Sequence, residues 1–157
     1  LKSLQELQRR GAIQKRYLAL LAGRWRKGQA TVDMPLRKNT LAGGERVVRI
    51  DPEGKPSRTF YKVLDRYNEA TLTEVTLDTG RTHQIRVHSA YLGTPILGDP
   101  KYGDAEANRA FRELGLRRLF LHAHSLAFTW PDTGVRFDIS APLPDELQAV
   151  LDKLGRN

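Results

Sequence analysis

One stretch, Leu77-Asp78-Thr79-Gly80-Arg81-Thr82-His83-Gln84-Ile85-Arg86-Val87-His88, limits what the rest of the chain can become. Asp-Thr-Gly is turn chemistry, so a strand ends near Leu77. Thr82 is suited to cap a helix that runs to about Leu92 and stops at Gly93. The start of such a helix offers unpaired N–H groups and a positive dipole end, with Arg81 beside it and Arg86 on the first turns. That arrangement wants an anion, and a phosphate or a carboxylate from elsewhere in the fold would fit equally well. The alternative for the two arginines is a solvated helix face.

What feeds this helix is sheet. Residues 58–66 and 70–77 read as a β-hairpin bending at Asn68-Glu69. In residues 15–23, Tyr17, Ala19 and Leu21 alternate with Leu18 and Leu20, apolar on both faces, as in a central buried strand. Residues 31–36 and 45–50 are expected as short strands joined through Gly43-Gly44, followed by the turn cluster Asp51-Pro52-Glu53-Gly54-Lys55-Pro56. Beyond Gly93 the pattern predicts a short strand over 94–97 and a loop over 98–103. Next come a helix capped by Asp104 and running through Leu114, strand over 119–124 and 126–130, a turn at 131–134 and a returning strand over 135–140. Pro144-Asp145-Glu146 opens a last helix with a stripe of Leu147, Val150, Leu151 and Leu154. Leu1, Leu4 and Leu7 place a helix over 2–10, stopped by Gly11, with no capping residue ahead of it, so it is expected to continue an element that begins upstream. The sum is an α+β fold: a mixed, mainly antiparallel sheet with flanking helices in one domain, residues 1–157.

Charge narrows the partners. Twenty-six Lys and Arg against 18 Asp and Glu give a net +8 and a pI near 10.0. Such an excess attracts phosphate backbones by releasing counterions, so RNA, DNA and anionic lipid are all open, and Arg24 to Lys27, Arg37-Lys38, Arg46 and Arg49 are candidate backbone contacts. No apolar run is long enough for a membrane helix and no cysteine is present, so a cytoplasmic protein without disulfide or thiolate chemistry is expected.

Other chemistries find no support. His83 and His88 are five residues apart, roughly 140° around a helix, whereas zinc-binding pairs use a spacing of four. His122 and His124 share a strand face but have no third ligand at suitable spacing. No metal site is expected. Neither GxGxxG nor GxxxxGK[ST] occurs, and Ser125, which has histidines close by, lacks the turn that would project a nucleophile.

The block Thr79-Gly80-Arg81-Thr82-His83-Gln84-Ile85-Arg86-Val87-His88 resembles the third motif of the RNA pseudouridine synthases, in the branch that modifies large-subunit ribosomal RNA. Lys15-Arg16-Tyr17-Leu18-Ala19, Glu53-Gly54-Lys55-Pro56-Ser57, Gly98-Asp99-Pro100-Lys101-Tyr102-Gly103 and Leu119-Phe120-Leu121-His122-Ala123 match further blocks in that family's order, over nearly the whole chain. One departure stands against these matches. The family's nucleophilic aspartate, in a motif of the type His-Arg-Leu-Asp, does not occur in these residues, so the chain resembles the C-terminal part of a catalytic domain whose aspartate is expected upstream of Leu1.

The resemblance implies an enzyme that breaks the N-glycosidic bond of a chosen uridine, turns the uracil and rejoins it through carbon 5, with no metal or cofactor, acting as a monomer on ribosomal RNA. Tyr17 would be the aromatic platform for the flipped base, whereas read alone it is a core aromatic with a satisfied hydroxyl. Arg86 would pair with the aspartate, an acid that on this reading these residues do not supply, and Ile85 would form the apolar wall. Arg81 and Lys101 would contact phosphate or simply remain surface charges. These residues alone would be inactive. A second expectation from another class is a non-catalytic RNA-binding module acting in ribosome assembly.

Overall fold

Strand β1 (Gln14–Ala22) is the spine of the molecule. The computed structural model describes residues 6–7, 13–77, 80–81 and 83–155, and within them the remaining strands are β2 (Gln29–Asp33), β3 (Leu36–Thr40), β4 (Arg46–Ile50), β5 (Arg58–Arg66), β6 (Ala70–Leu77), β7 (Leu121–Thr129) and β8 (Arg136–Ser140). Six form one sheet in the order β2-β5-β6-β1-β7-β8, every neighbouring pair antiparallel. A strand with hydrogen-bonded neighbours on both edges and apolar residues on both faces belongs in the middle, and Ala19, Leu20 and Leu21 of β1 are fully buried. β8, exposed along its length, closes one edge.

The β5–β6 hairpin occupies the predicted residues, its bend closed by the Tyr67 amide donating to the Ala70 carbonyl at 2.8 Å. The predicted strand over 31–36 is instead cut in two. Pro35 has no N–H to give a ladder, and around it β2 stays on β5 while β3 turns away to pair with β4 in a separate two-stranded sheet.

Three helices lie within the described residues: α1 (Gln84–Tyr91), α2 (Ala105–Arg112) and α3 (Asp145–Asp152). Asp104 caps α2 as its side chain type predicts, accepting from the amides of Glu106 and Ala107. Leu147, Val150 and Leu151 of α3 and Phe111 of α2 join the core that Leu20, Leu21, Tyr61, Val75, Ile96 and Phe120 make. α1 is wedged between the two sheets: Ile85 packs into that main core, while Val87 packs with Leu36 and Val48 of the small sheet.

Three expectations change. The N-cap of α1 is His83, not Thr82, which lies outside the described residues. The strand over 94–97 is a single bridge between Leu21 and Ile96, and the two segments within 119–130 are one strand beginning at Leu121. Of the helix over 2–10, only Glu6 and Leu7 are described; both are helical and Leu7 is buried. No helix among the described residues is long and apolar enough to cross a membrane.

Candidate active site at the start of the central helix

α1 is fastened by polar side chains on its buried face. Gln84 donates to the Arg58 carbonyl and to Thr59 Oγ1, both at 2.9 Å, and accepts from the Arg81 amide. One turn on, His88 is fully buried, with Nε2 2.9 Å from the Met34 carbonyl and Nδ1 2.7 Å from Thr59 Oγ1. A carbonyl can only accept, so Nε2 carries the proton and Nδ1 takes the threonine hydroxyl's. Burial depresses the His88 pKa, and this bonding pattern needs the neutral ring. Ser89 and Tyr61 complete the set through their hydroxyls at 2.8 Å.

The helix begins under strain. His83 has φ 54°, the sole non-glycine with positive φ among the described residues, and makes no side-chain cap bond. Left-handed backbone costs a side chain with a Cβ roughly 1–2 kcal/mol. The ring is held: His83 Nδ1 lies 2.8 Å from Tyr102 Oη, and the two rings meet edge to face. Tyr102 Oη also accepts from the Val48 amide at 2.9 Å, tying the small sheet to the loop over 98–103.

That loop gives Arg86 an acidic partner within these residues. Asp99, 1% exposed, receives Arg86 Nε at 2.9 Å and Nη2 at 2.7 Å in a two-pronged ion pair. The expectation that these residues offer Arg86 no acidic partner is therefore corrected. Asp99 also accepts from the amides of Lys101 and Tyr102, an Asx-type turn. The loop is cramped: a Cβ on Gly98, which has φ 85°, would collide with the Arg118 carbonyl oxygen, and one on Gly103 with that of Asp99. Burial alone would lift the Asp99 carboxyl, but the bonds from Arg86 and the two amides outweigh it and hold the group below the usual range. Arg86 is held more firmly protonated by the same bond. Its guanidinium also stacks over the Tyr102 ring, 5.1 Å from the centroid. Nη1 has no hydrogen-bond partner among the described residues.

Four of the five predicted site residues meet. Tyr17, Ile85, Arg86 and Arg81 line one cleft of about 210 Å³ together with His83, Gln84, Leu77 and Leu121. This is smaller than the ~300–1,000 Å³ that takes drug-sized ligands. The pairing with β7 shifts between Arg16 and Tyr17, where His124 is the extra, unpaired residue of β7, so the irregularity lies opposite Tyr17 and not on its own strand. Half-burial raises the Tyr17 pKa, so the phenol keeps its proton at neutral pH. Arg81, its Nε on the Pro56 carbonyl, also borders a groove of about 470 Å³ lined by Arg37, Lys38 and Lys55.

Lys101 is not in the cleft. Its ammonium donates to the Arg46 carbonyl at 2.6 Å and pairs with Glu45 at 3.0 Å, bracing the β3–β4 hairpin. His122 and His124 bond the Ala141 carbonyl and Glu74 respectively, and among the described residues no three His, Cys, Asp or Glu side chains are grouped to hold a metal ion.

The cleft brings an aromatic ring, an apolar side chain and an oriented guanidinium together beside a basic groove. A family model described as "RNA pseudouridylate synthase" matches residues 1–91. The chain belongs to the RNA pseudouridylate synthase family. It is 51% identical over 156 residues to ribosomal large subunit pseudouridine synthase C of Escherichia coli, covering 98% of this chain and 49% of that protein. Against the synthase of the same name from Pasteurella multocida it is 48% identical over 154 residues, covering 98% and 47%. The chain thus spans about half the length of these relatives. Among solved structures, human RNA pseudouridylate synthase domain containing 1 superposes with a TM-score of 0.77 at 28% identity, covering 95% of this chain and 63% of that one. The synthase blocks quoted from the sequence fall on the cleft and its supports, with Asp99, Tyr102 and His83 the residues whose part there sequence reasoning missed. The signal for Asp99 was present, since an Asp between Gly98 and Pro100 is an Asx-turn former.

Proposed function

We propose that the protein containing this chain isomerises specific uridines of large-subunit ribosomal RNA to pseudouridine, and that residues 1–157 are the C-terminal part of its catalytic domain. The reading carries to this chain what its relatives' names state of them. The observation that carries it is the shared cleft of Tyr17, Ile85 and Arg86, with one edge of the Arg86 guanidinium pinned by Asp99 and Nη1 without a hydrogen-bond partner among the described residues. Asp99 already neutralises Arg86, and a second carboxylate would bond the Nη1 that has no partner among the described residues. The nucleophilic aspartate comes from a segment outside these residues, which by themselves are inactive.

In the reaction the C1′–N1 bond of uridine breaks, C1′ bonds to C5, and the C5 proton is replaced by one on N1. Tyr17 and Ile85 sandwich the uracil while it turns. Arg86 keeps the incoming aspartate ionised and aimed at the sugar. Arg81 stands where the cleft meets the basic groove, so backbone phosphates on Arg37, Lys38 and Lys55 feed one nucleotide into the slot. No metal or cofactor takes part, and the protein works as a cytoplasmic monomer.

Full-length protein incubated with unmodified ribosomal RNA should produce a stop in carbodiimide-blocked primer extension at one or a few uridines. An RNA left without any such stop would overturn the assignment.

A further inference from the structure

His83 offers one ring nitrogen without a hydrogen-bond partner among the described residues, at the edge of the cleft. Tyr102 Oη receives the Val48 N–H, and the arrangement that also uses the hydroxyl's own proton sends it to His83 Nδ1. Nδ1 is then bare and the ring proton sits on Nε2, for which no partner exists among the described residues. The ring borders the same cleft as Tyr17, Ile85 and Arg86. A left-handed backbone would suit asparagine or glycine better, and helix capping is not what the side chain does. The strain and the fixed ring both find a reason if the ring faces substrate.

We propose that His83 is a substrate-contacting residue, donating a hydrogen bond from Nε2 to a carbonyl oxygen of the flipped uracil. This rests on the function proposed above. Tyr102 is its positioning residue, bracing the ring through the hydroxyl and the Arg86 guanidinium through its face. Burial and the neighbouring Arg86, Lys101 and Arg46 charges disfavour a cationic ring, and only Asp99 opposes them. A neutral donor helps through a turning step, because a bond to a carbonyl is made and remade without a charge to desolvate.

The discriminating variant is His83→Asn in the full-length protein. Asparagine tolerates the left-handed backbone, and its side-chain oxygen sits where Nδ1 does and can keep the Tyr102 bond, but nothing donates at the Nε2 position. With a ribosomal RNA transcript as substrate, kcat should fall roughly 10- to 100-fold, with KM and Tm nearly unchanged. His83→Gln, whose amide nitrogen reaches the Nε2 position, should recover part of the loss. Nitrogen NMR of the wild-type imidazole gives a second reading that needs no variant: the proton should be on Nε2, and its signal should shift when the transcript binds. Turnover of His83→Asn within about twofold of wild type, a loss confined to KM and its salt dependence, or a ring protonated on Nδ1 would each overturn the proposal. If the wild-type protein forms no pseudouridine, the functional reading fails and this inference with it; if wild type is active and His83→Asn matches it, only the inference fails.

Discussion

Asp99 and Asp51 both hold arginines, and they do it differently. Asp99 is 1% exposed and grips one edge of a guanidinium through two bonds at 2.7 and 2.9 Å, with two backbone amides also donating to its Oδ1. Asp51, on the small sheet's flank, is shared at 3.6 Å by Arg37 and Arg49, whose side chains are more than half exposed. A short, buried, two-pronged pair fixes a guanidinium's direction. A long, wet, shared one leaves charge in place without a direction. The first suits a group that must meet one atom, the second a surface that must meet a phosphate chain in many poses.

The contrast breaks most easily at Arg86. Arg86→Ala should cut turnover at least about a thousandfold. Arg86→Lys should recover little, since a point charge cannot hold Asp99 and a second acid at once; full rescue by lysine would mean that direction does not matter. Next in size is Asp99→Ala, which strands a mostly buried guanidinium and two amides and should cost about 3–5 kcal/mol of stability by denaturant unfolding. The Asp99 carboxyl titrates below its ordinary value in the fold. Its stabilisation is therefore complete above about pH 4 and is lost as pH falls through the lowered folded value, so wild-type and variant stabilities should converge in acid.

His88 adds a milder pH effect at the other end of α1. Its folded pKa is depressed, so the unfolded chain takes up the proton first. Stability should decline as pH drops below about 6.5, with the slope flattening once the folded ring protonates. A His88→Gln profile with the same slope would reject that assignment. Arg37→Ala should weaken RNA binding only a few-fold and reduce the salt slope by about one, with kcat unchanged. Equal effects from Arg37 and Arg86 would erase the distinction between the two carboxylates. Smallest is Arg118→Ala: its pair with Glu146 is exposed on both sides and should be worth at most a few tenths of a kcal/mol.

Where local chemistry dominates, the sequence was enough. The 58–66 and 70–77 strands, the Asp104 cap and the strand at 14–22 follow from alternation and capping, which act over a few residues. Tyr17, Ile85 and Arg86 were placed by resemblance, and the fold brings them to one cleft. What stayed hidden involves partners far apart in the chain. Tyr102 meets Val48 across 54 positions, so neither its hairpin contact nor the left-handed turn at His83 leaves a mark on local pattern. The Asp99 pairing with Arg86 depends on Gly98 turning the chain under Arg118, a contact no periodicity reveals. The strand expected over 31–36 ran through Pro35, and the second sheet came from where the residues after it found partners.

Arg86 is expected to serve two acids, Asp99 on one edge of its guanidinium and a second carboxylate on Nη1. A crystal structure of the full-length protein measures it directly, through the distance from Arg86 Nη1 to the carboxylate of the His-Arg-Leu-Asp segment. The account predicts a hydrogen-bonded contact of about 3 Å beside the Tyr17 ring, with Nε and Nη2 still on Asp99. An aspartate found outside this cleft, with Arg86 committed to Asp99 alone, would contradict it.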